Sequence, residues 1–158
     1  MHIILRTMRH DDIPVCSSIV CTSSIGYRYG FTVPSLSASI AKAFNTGNLL
    51  IVGEAEGEIA GFLWVDPLGA FSSAPYLRLI AVDKQYRGTG VGATLLHEFE
   101  LKTKHVGRDF FLLVSDFNDS AIRFYKQHGY NEVGTLPNFA KPGITEIIMV
   151  KHRKVITS

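Results

Sequence analysis

Three glycines at alternate positions, Gly88, Gly90 and Gly92, stand between a strand-like apolar run and a helix-like one in this 158-residue chain. The chemistry such a loop can do is anion binding. Glycine lets the backbone approach a ligand closely and adopt turns that a Cβ resists. The free N–H groups of a helix start converge there with the positive end of its dipole, which suits a phosphate or pyrophosphate. A nucleotide P-loop is excluded, because it needs G-x-x-x-x-G-K-[ST] and no Gly-Lys-Ser or Gly-Lys-Thr occurs. A dinucleotide fingerprint, G-x-G-x-x-G/A, is satisfied by Gly88-Thr89-Gly90-Val91-Gly92-Ala93, and Asp116 follows at a suitable distance. The surrounding elements must decide what the loop holds.

Those elements begin with a short strand over His2–Arg6 and a helix from Ile13 and Pro14, capped by Asp11 or Asp12. Gly26 to Pro34 reads as a break, Ser35–Phe44 as a second helix, and Asn45-Thr46-Gly47 as its end. Leu49–Ala55 and Ile59–Val65 are rich in β-formers and flank Glu56-Gly57, and Tyr76–Val82 adds a third strand. Connections this short make an antiparallel meander. After the glycine loop, Leu95, Leu96 and Phe99 recur at helical spacing over Val91–Lys104, and strand Phe110–Ser115 follows. That is one right-handed βαβ crossover with parallel strands. Asn118 or Asp119 caps a further helix ending at His128-Gly129, and strands at Glu132–Leu136 and Thr145–Lys151 finish the order. The fold class is α/β (α+β): a mixed, mostly antiparallel seven-stranded sheet flanked by helices. Neither the meander nor the gap of Asp83 to Arg87 between strand and first glycine suits a dinucleotide site.

Composition narrows the classes further. Hydrophobic residues make up 46% and charged residues 19%, the latter below the roughly 25% of an average soluble domain, so the interior is generous and disorder is not expected. The length suits one domain over 1–158, with a core from about 2 to 152. A net charge of +2 is too small and too dispersed for nucleic-acid binding. The densest basic stretch, Lys151-His152-Arg153-Lys154, reads as a solvated tail. Cys16 and Cys21, five residues apart on one helix, point in different directions, so neither a disulfide nor a zinc site is expected, and no metal. No apolar run approaches the ~20 residues of a membrane span, and the N-terminus lacks a signal-peptide pattern. A cytoplasmic protein without membrane attachment is expected.

Two segments carry a family resemblance. The run Leu79-Ile80-Ala81-Val82-Asp83-Lys84-Gln85-Tyr86-Arg87-Gly88-Thr89-Gly90-Val91-Gly92 resembles the cofactor motif of the GNAT N-acetyltransferases, with Gln/Arg-x-x-Gly-x-Gly/Ala present as Gln85, Gly88 and Gly90. Downstream, Asn118 to Tyr130 is similar to that family's Asn-x-x-Ala-x-x-x-Tyr segment ending in Gly-Tyr, and the element order matches over nearly the whole chain. The resemblance implies acetyl-CoA as cosubstrate. Backbone groups of Ile80, Ala81 and Val82 would pair with the pantetheine amides, and the amides from Arg87 through Gly88, Thr89, Gly90 and Val91 to Gly92 would hold the pyrophosphate. Asn118 would bond the cofactor arm, with Ala121 and Phe124 lining its path. Tyr125 matches the family's acid, which donates to the departing sulfur.

The implied reaction is attack of a primary amine on the thioester within a ternary complex, with a backbone N–H near Val82 stabilising the oxyanion. The base is not identified: Arg78 and Leu113 occupy positions where relatives carry a glutamate, which leaves Asp116, Glu54, Asp66, His128 or a water chain. Tyr27, Tyr29 and Phe31, with the loop Leu136–Gly143, are the candidates for the acceptor pocket. A small-molecule amine or amino acid is the first acceptor class and a protein N-terminus or lysine the second. A non-catalytic acyl-CoA sensor is the rival of another class, and a homodimer is left open.

Overall fold

Strand formers in the first half and two amphipathic helices in the second build one seven-stranded sheet covered on both faces. In the computed structural model, which describes residues 1–153, the elements are β1 (Ile3–Thr7), α1 (Ile13–Cys21), α2 (Ser24–Tyr29), α3 (Val33–Ala43), β2 (Leu49–Ala55), β3 (Glu58–Ala70), β4 (Ala74–Val82), α4 (Val91–Thr103), β5 (Asp109–Ser115), α5 (Asp119–Gln127), β6 (Asn131–Pro137) and β7 (Thr145–His152). The sheet order is β1-β2-β3-β4-β5-β7-β6. Every neighbouring pair is antiparallel except β4–β5, the expected parallel crossover. Of the basic tail, Lys154 lies outside the described residues.

Each face carries its own apolar cluster. Leu95, Leu96 and Phe99 of α4 and Tyr125 of α5 pack with Leu63, Leu112, Val114, Ile147 and Met149 on one side. Cys16 and Val20 of α1 and Leu36 and Ile40 of α3 pack with Val52, Phe62 and Trp64 on the other. Cys16 is fully buried and both cysteines are free thiols. Burial pushes the Cys16 thiol up to about 12, so it packs as a small apolar group. Among the described residues no helix is long and apolar enough to cross a membrane.

Two departures from the sequence expectations bear on function. The segment from Gly26 is not simply a break, because Ser24–Tyr29 forms the short helix α2. The Ser23 hydroxyl accepts from the Gly26 N–H at 3.0 Å to cap it, and Gly30 at φ 71° ends it. Gly26 is required by contact: a Cβ there would lie 2.1 Å from the Val20 carbonyl oxygen at the end of α1. The second departure is the length of β3, which continues past Val65 to Ala70. Pro67 is tolerated because the β3–β4 ladder is interrupted between Asp66 and Ala70.

Candidate functional site

The sheet is opened at its middle by a single residue. Opposite β3 the register runs Val65↔Leu77 and then Trp64↔Leu79, so Arg78 is an extra residue on β4. Such a bulge bends its strand and ends pairing. β4 and β5 accordingly pair only at Tyr76↔Phe111 and Leu77↔Leu112. Beyond that point they splay, and the gap widens into a cleft of about 1530 Å³ bounded by Leu79–Val82 on one side and Leu113–Ser115 on the other. The β4 backbone groups that face the gap have no strand to pair with. The Arg78 guanidinium is taken up by the Trp64 ring, 4.7 Å from its centroid.

One end of the cleft is the glycine loop. Asp83 Oδ1 accepts from Gln85 N at 3.0 Å and starts a single 3-10 turn over Lys84–Tyr86. Gly88 and Gly90 follow at φ 74° and 93°, and Gly90 serves as the N-cap of α4 without any side-chain cap. Among the described residues the N–H groups from Gly88 to Ala93 find no protein acceptor. Six unpaired donors at the positive end of a thirteen-residue helix fit a diphosphate. Phe124 packs beneath this turn, its ring 3.5 Å from where a Cβ on Gly92 would sit. Asn118 is a helix cap, with Oδ1 accepting from Ala121 N at 3.3 Å, and it also lines the cleft, leaving its amide N–H groups available.

Most of the residues singled out in the sequence gather here. Ile80, Ala81, Val82, Arg87, Gly88, Gly90, Gly92, Asn118, Ala121, Phe124 and Tyr125 all border the cleft. Three side chains turn elsewhere. Gln85 donates to Glu58 Oε2 at 3.2 Å, the Thr89 hydroxyl donates to the Tyr86 carbonyl, and Val91 is fully buried in the core. What Thr89 and Val91 offer a ligand is backbone N–H, whereas the Gln85 N–H is already taken by Asp83 Oδ1.

Tyr125 and Tyr76 meet near the apex of the splay. Tyr125 is 7% exposed, its ring edge-on to Phe124 and Tyr130 at 5.3 and 5.9 Å. Burial, and then the neighbouring Tyr76, hold its phenol far above the usual tyrosine value, so it carries its proton across the physiological range. Among the described residues its hydroxyl has no hydrogen-bond partner. Tyr76 is raised as well, chiefly by burial, with Arg78 lowering it and Glu146 raising it.

The other end of the cleft lies on the opposite face of the sheet. Leu112, Val114, Ile147 and Met149 face α4 and α5, so strand alternation turns Leu113, Ser115, Glu146 and Ile148 toward the α2 side. Ser115 and Glu146 are paired in register, and both are 4% exposed. The Tyr29 hydroxyl reaches across from α2 to hydrogen-bond Ser115 Oγ at 2.7 Å and to donate to Glu146 Oε1. Burial, then the Glu146 hydrogen bond, pushes the Tyr29 phenol up to about 12. Phe31 stacks on Tyr29 at 5.4 Å and borders the cleft, whereas Tyr27 is 83% exposed and does not. Lys141 of the β6–β7 loop donates to the Arg28 carbonyl at 2.9 Å, tying that loop to α2.

None of the four carboxylate or histidine candidates for a base borders the cleft. Glu54 is paired with Arg6, Asp66 Oδ1 accepts from Leu68 N, His128 Nδ1 bonds the Phe124 carbonyl, and Asp116 is exposed beyond β5. Glu146 is the carboxylate that sequence reasoning missed. Its signal is a lone acid in the apolar strand Thr145–His152, which carries weight only once both sheet faces are known to be covered. No group of three His, Cys, Asp or Glu that could hold a metal occurs among the described residues.

Comparison with known proteins agrees with this architecture. Residues 46–132, which include the glycine loop and Tyr125, match the acetyltransferase (GNAT) domain family. An N-alpha-acetyltransferase of Sulfurisphaera tokodaii is 30% identical over 134 residues, 78% of this chain and 76% of that protein. A solved structure from Desulfovibrio desulfuricans, assigned to the GNAT family, superposes with a TM-score of 0.80 at 20% identity, covering 96% of this chain and 99% of that one. The ribosomal-protein-alanine N-acetyltransferase of Brucella melitensis gives 0.77 at 20% identity over 95% and 99%.

Proposed function

The chain belongs to the GNAT family of N-acetyltransferases, and on that premise we propose that it acts as one catalytic domain acetylating the primary amine of a small molecule or amino acid. The observation that carries the proposal is the continuous cleft, which runs from the unpaired N–H groups at Gly88–Ala93, past Tyr125, to the buried Tyr29–Glu146 pair. Acetyl-CoA, the family's cosubstrate, supplies an activated acyl group on a sulfur able to leave as thiolate.

The chain's own residues divide the work. The loop N–H groups and Arg87 bind the diphosphate. The unpaired edge of Leu79–Val82 orients the amide-bearing arm, as an added strand would, and Asn118 contributes its side-chain N–H groups. A β4 N–H near Val82 polarises the acyl oxygen. Tyr125, kept protonated by burial, donates to the departing sulfur. The Lys141–Arg28 tie braces the walls of the acceptor end, which favours a compact amine over a long chain. A peptide N-terminus is the second reading, favoured by the 30% identity to the Sulfurisphaera tokodaii N-alpha-acetyltransferase.

Two measurements test this. CoA should raise the unfolding temperature, with about 2.7 kcal/mol of stabilisation at a hundredfold excess over Kd, and NAD should not. Thiol release from acetyl-CoA across a panel of amines, amino acids and N-terminal peptides should then show turnover, fastest with small amines. Stabilisation by NAD alone, or fastest turnover with peptides, would overturn the corresponding part.

A further inference from the structure

Two carboxylates are buried among the described residues, Asp12 and Glu146. Asp12 is neutralised by Arg6 at 2.7 Å. Glu146 has no ion-pair partner among the described residues and is held by the Tyr29 hydroxyl. A buried carboxylate without a countercharge is costly, and a fold that retains one toward a cleft has room for a cation. The positive groups nearby are engaged elsewhere: Arg78 lies over Trp64, and Lys141 bonds the Arg28 carbonyl. The aromatic residues Phe31 and Tyr76 border the same end, and aromatic faces favour an ammonium.

We propose that Glu146 receives the ammonium group of the acceptor and takes a proton from it, which makes it the base of the reaction. The inference rests on reading the cleft as an acetyl-transfer site. One proton passes from the R–NH3⁺ nitrogen to a Glu146 oxygen, leaving R–NH2 with a free lone pair. As the N–C bond forms and the C–S bond breaks, the Tyr125 hydroxyl gives its proton to the sulfur and regains one from the nitrogen. Glu146 returns its proton to solvent when the amide leaves. The balance is an ammonium and a thioester giving an amide, a thiol and one released proton. The titratable and charged groups that share this end are Tyr29 from α2, Tyr76 and Arg78 from β4 and Lys141 from the β6–β7 loop, with Asp116 exposed just after β5 and outside the cleft wall.

The test uses the full chain with phenethylamine as the cationic probe and phenethyl alcohol as its uncharged counterpart. With CoA present, so that no transfer occurs, the unaltered protein should bind the amine about tenfold more tightly than the alcohol. Glu146→Gln should abolish that preference and Glu146→Asp should keep part of it. In turnover at neutral pH, Glu146→Gln should lower kcat/KM by about a hundredfold while leaving CoA affinity unchanged. Its rate should then climb about tenfold per pH unit toward the pKa of the free amine. The inference is overturned if the unaltered protein shows no preference for the cation, a result that needs no variant to fold. It is also overturned if Glu146→Gln keeps both the preference and the pH profile. Turnover with an indifferent Glu146→Gln would sink this inference and spare the acetyl-transfer reading. Cation binding through Glu146 with no turnover on any amine would support the ammonium site and overturn the transfer reading.

Discussion

Packed among Phe124, Tyr130 and Tyr76, the phenol of Tyr125 has lost the water that would stabilise its ionised form, and its hydroxyl is left facing the cleft. A group so placed enters the reaction protonated and can give that proton to a leaving thiolate. Tyr125→Phe should therefore lower kcat by about a hundredfold with CoA affinity unchanged, measured by single-turnover thiol release and titration calorimetry. Tyr125 and Asn118 were readable in the sequence because both belong to one short motif on one helix. Glu146 was not, since the contacts that give it meaning come from Tyr29 and Ser115, and Tyr29 lies 117 residues away along the chain. Tyr29 and Tyr27 looked alike in the sequence. Only the direction of α2 separates the one that meets Glu146 from the one in solvent.

Among the elements, α4 and its preceding loop were legible because glycines and apolar spacing mark a helix start plainly. α2 escaped because Gly26 reads as a breaker, whereas here it lets two helices touch. The bulge at Arg78 was equally hidden, since β4 is apolar on either side of that residue along the chain and one extra position leaves no gap in the pattern. At the loop, Gly90→Ala would force a Cβ onto φ 93°, at a cost of about 1–2 kcal/mol. A Cβ there meets no atom within 4 Å, so the fold should survive while the N–H groups lose their aim. CoA affinity should drop by at least about tenfold, with a small fall in unfolding temperature, checked by calorimetry and thermal denaturation.

Across the whole molecule, the edge of the sheet is fastened by Arg6 of β1, which bonds Asp12 before α1 and Glu54 of β2. Asp12 also accepts from Arg9 N at 2.7 Å. Arg6 holds the Asp12 carboxyl below the usual aspartate value, so the unfolded chain binds that proton more readily than the folded one. The stabilisation is complete above the ordinary aspartate value and fades as pH falls below it. Asp12→Asn should cost about 1–3 kcal/mol at neutral pH in denaturant unfolding, and the difference should shrink below about pH 4. Apart from α2, the element order and the two-sided sheet were readable from the sequence, but the two-pair junction between β4 and β5 was not, because it is set by register. That junction leaves the sheet short by part of one strand. If the arm of the cosubstrate fills it, ligand binding is also the last step of assembly, knitting the β1–β4 half to the β5–β7–β6 half. Alternate amides in residues 79–82 should then exchange with solvent quickly in the free protein and become protected on adding CoA, as hydrogen–deuterium exchange would record.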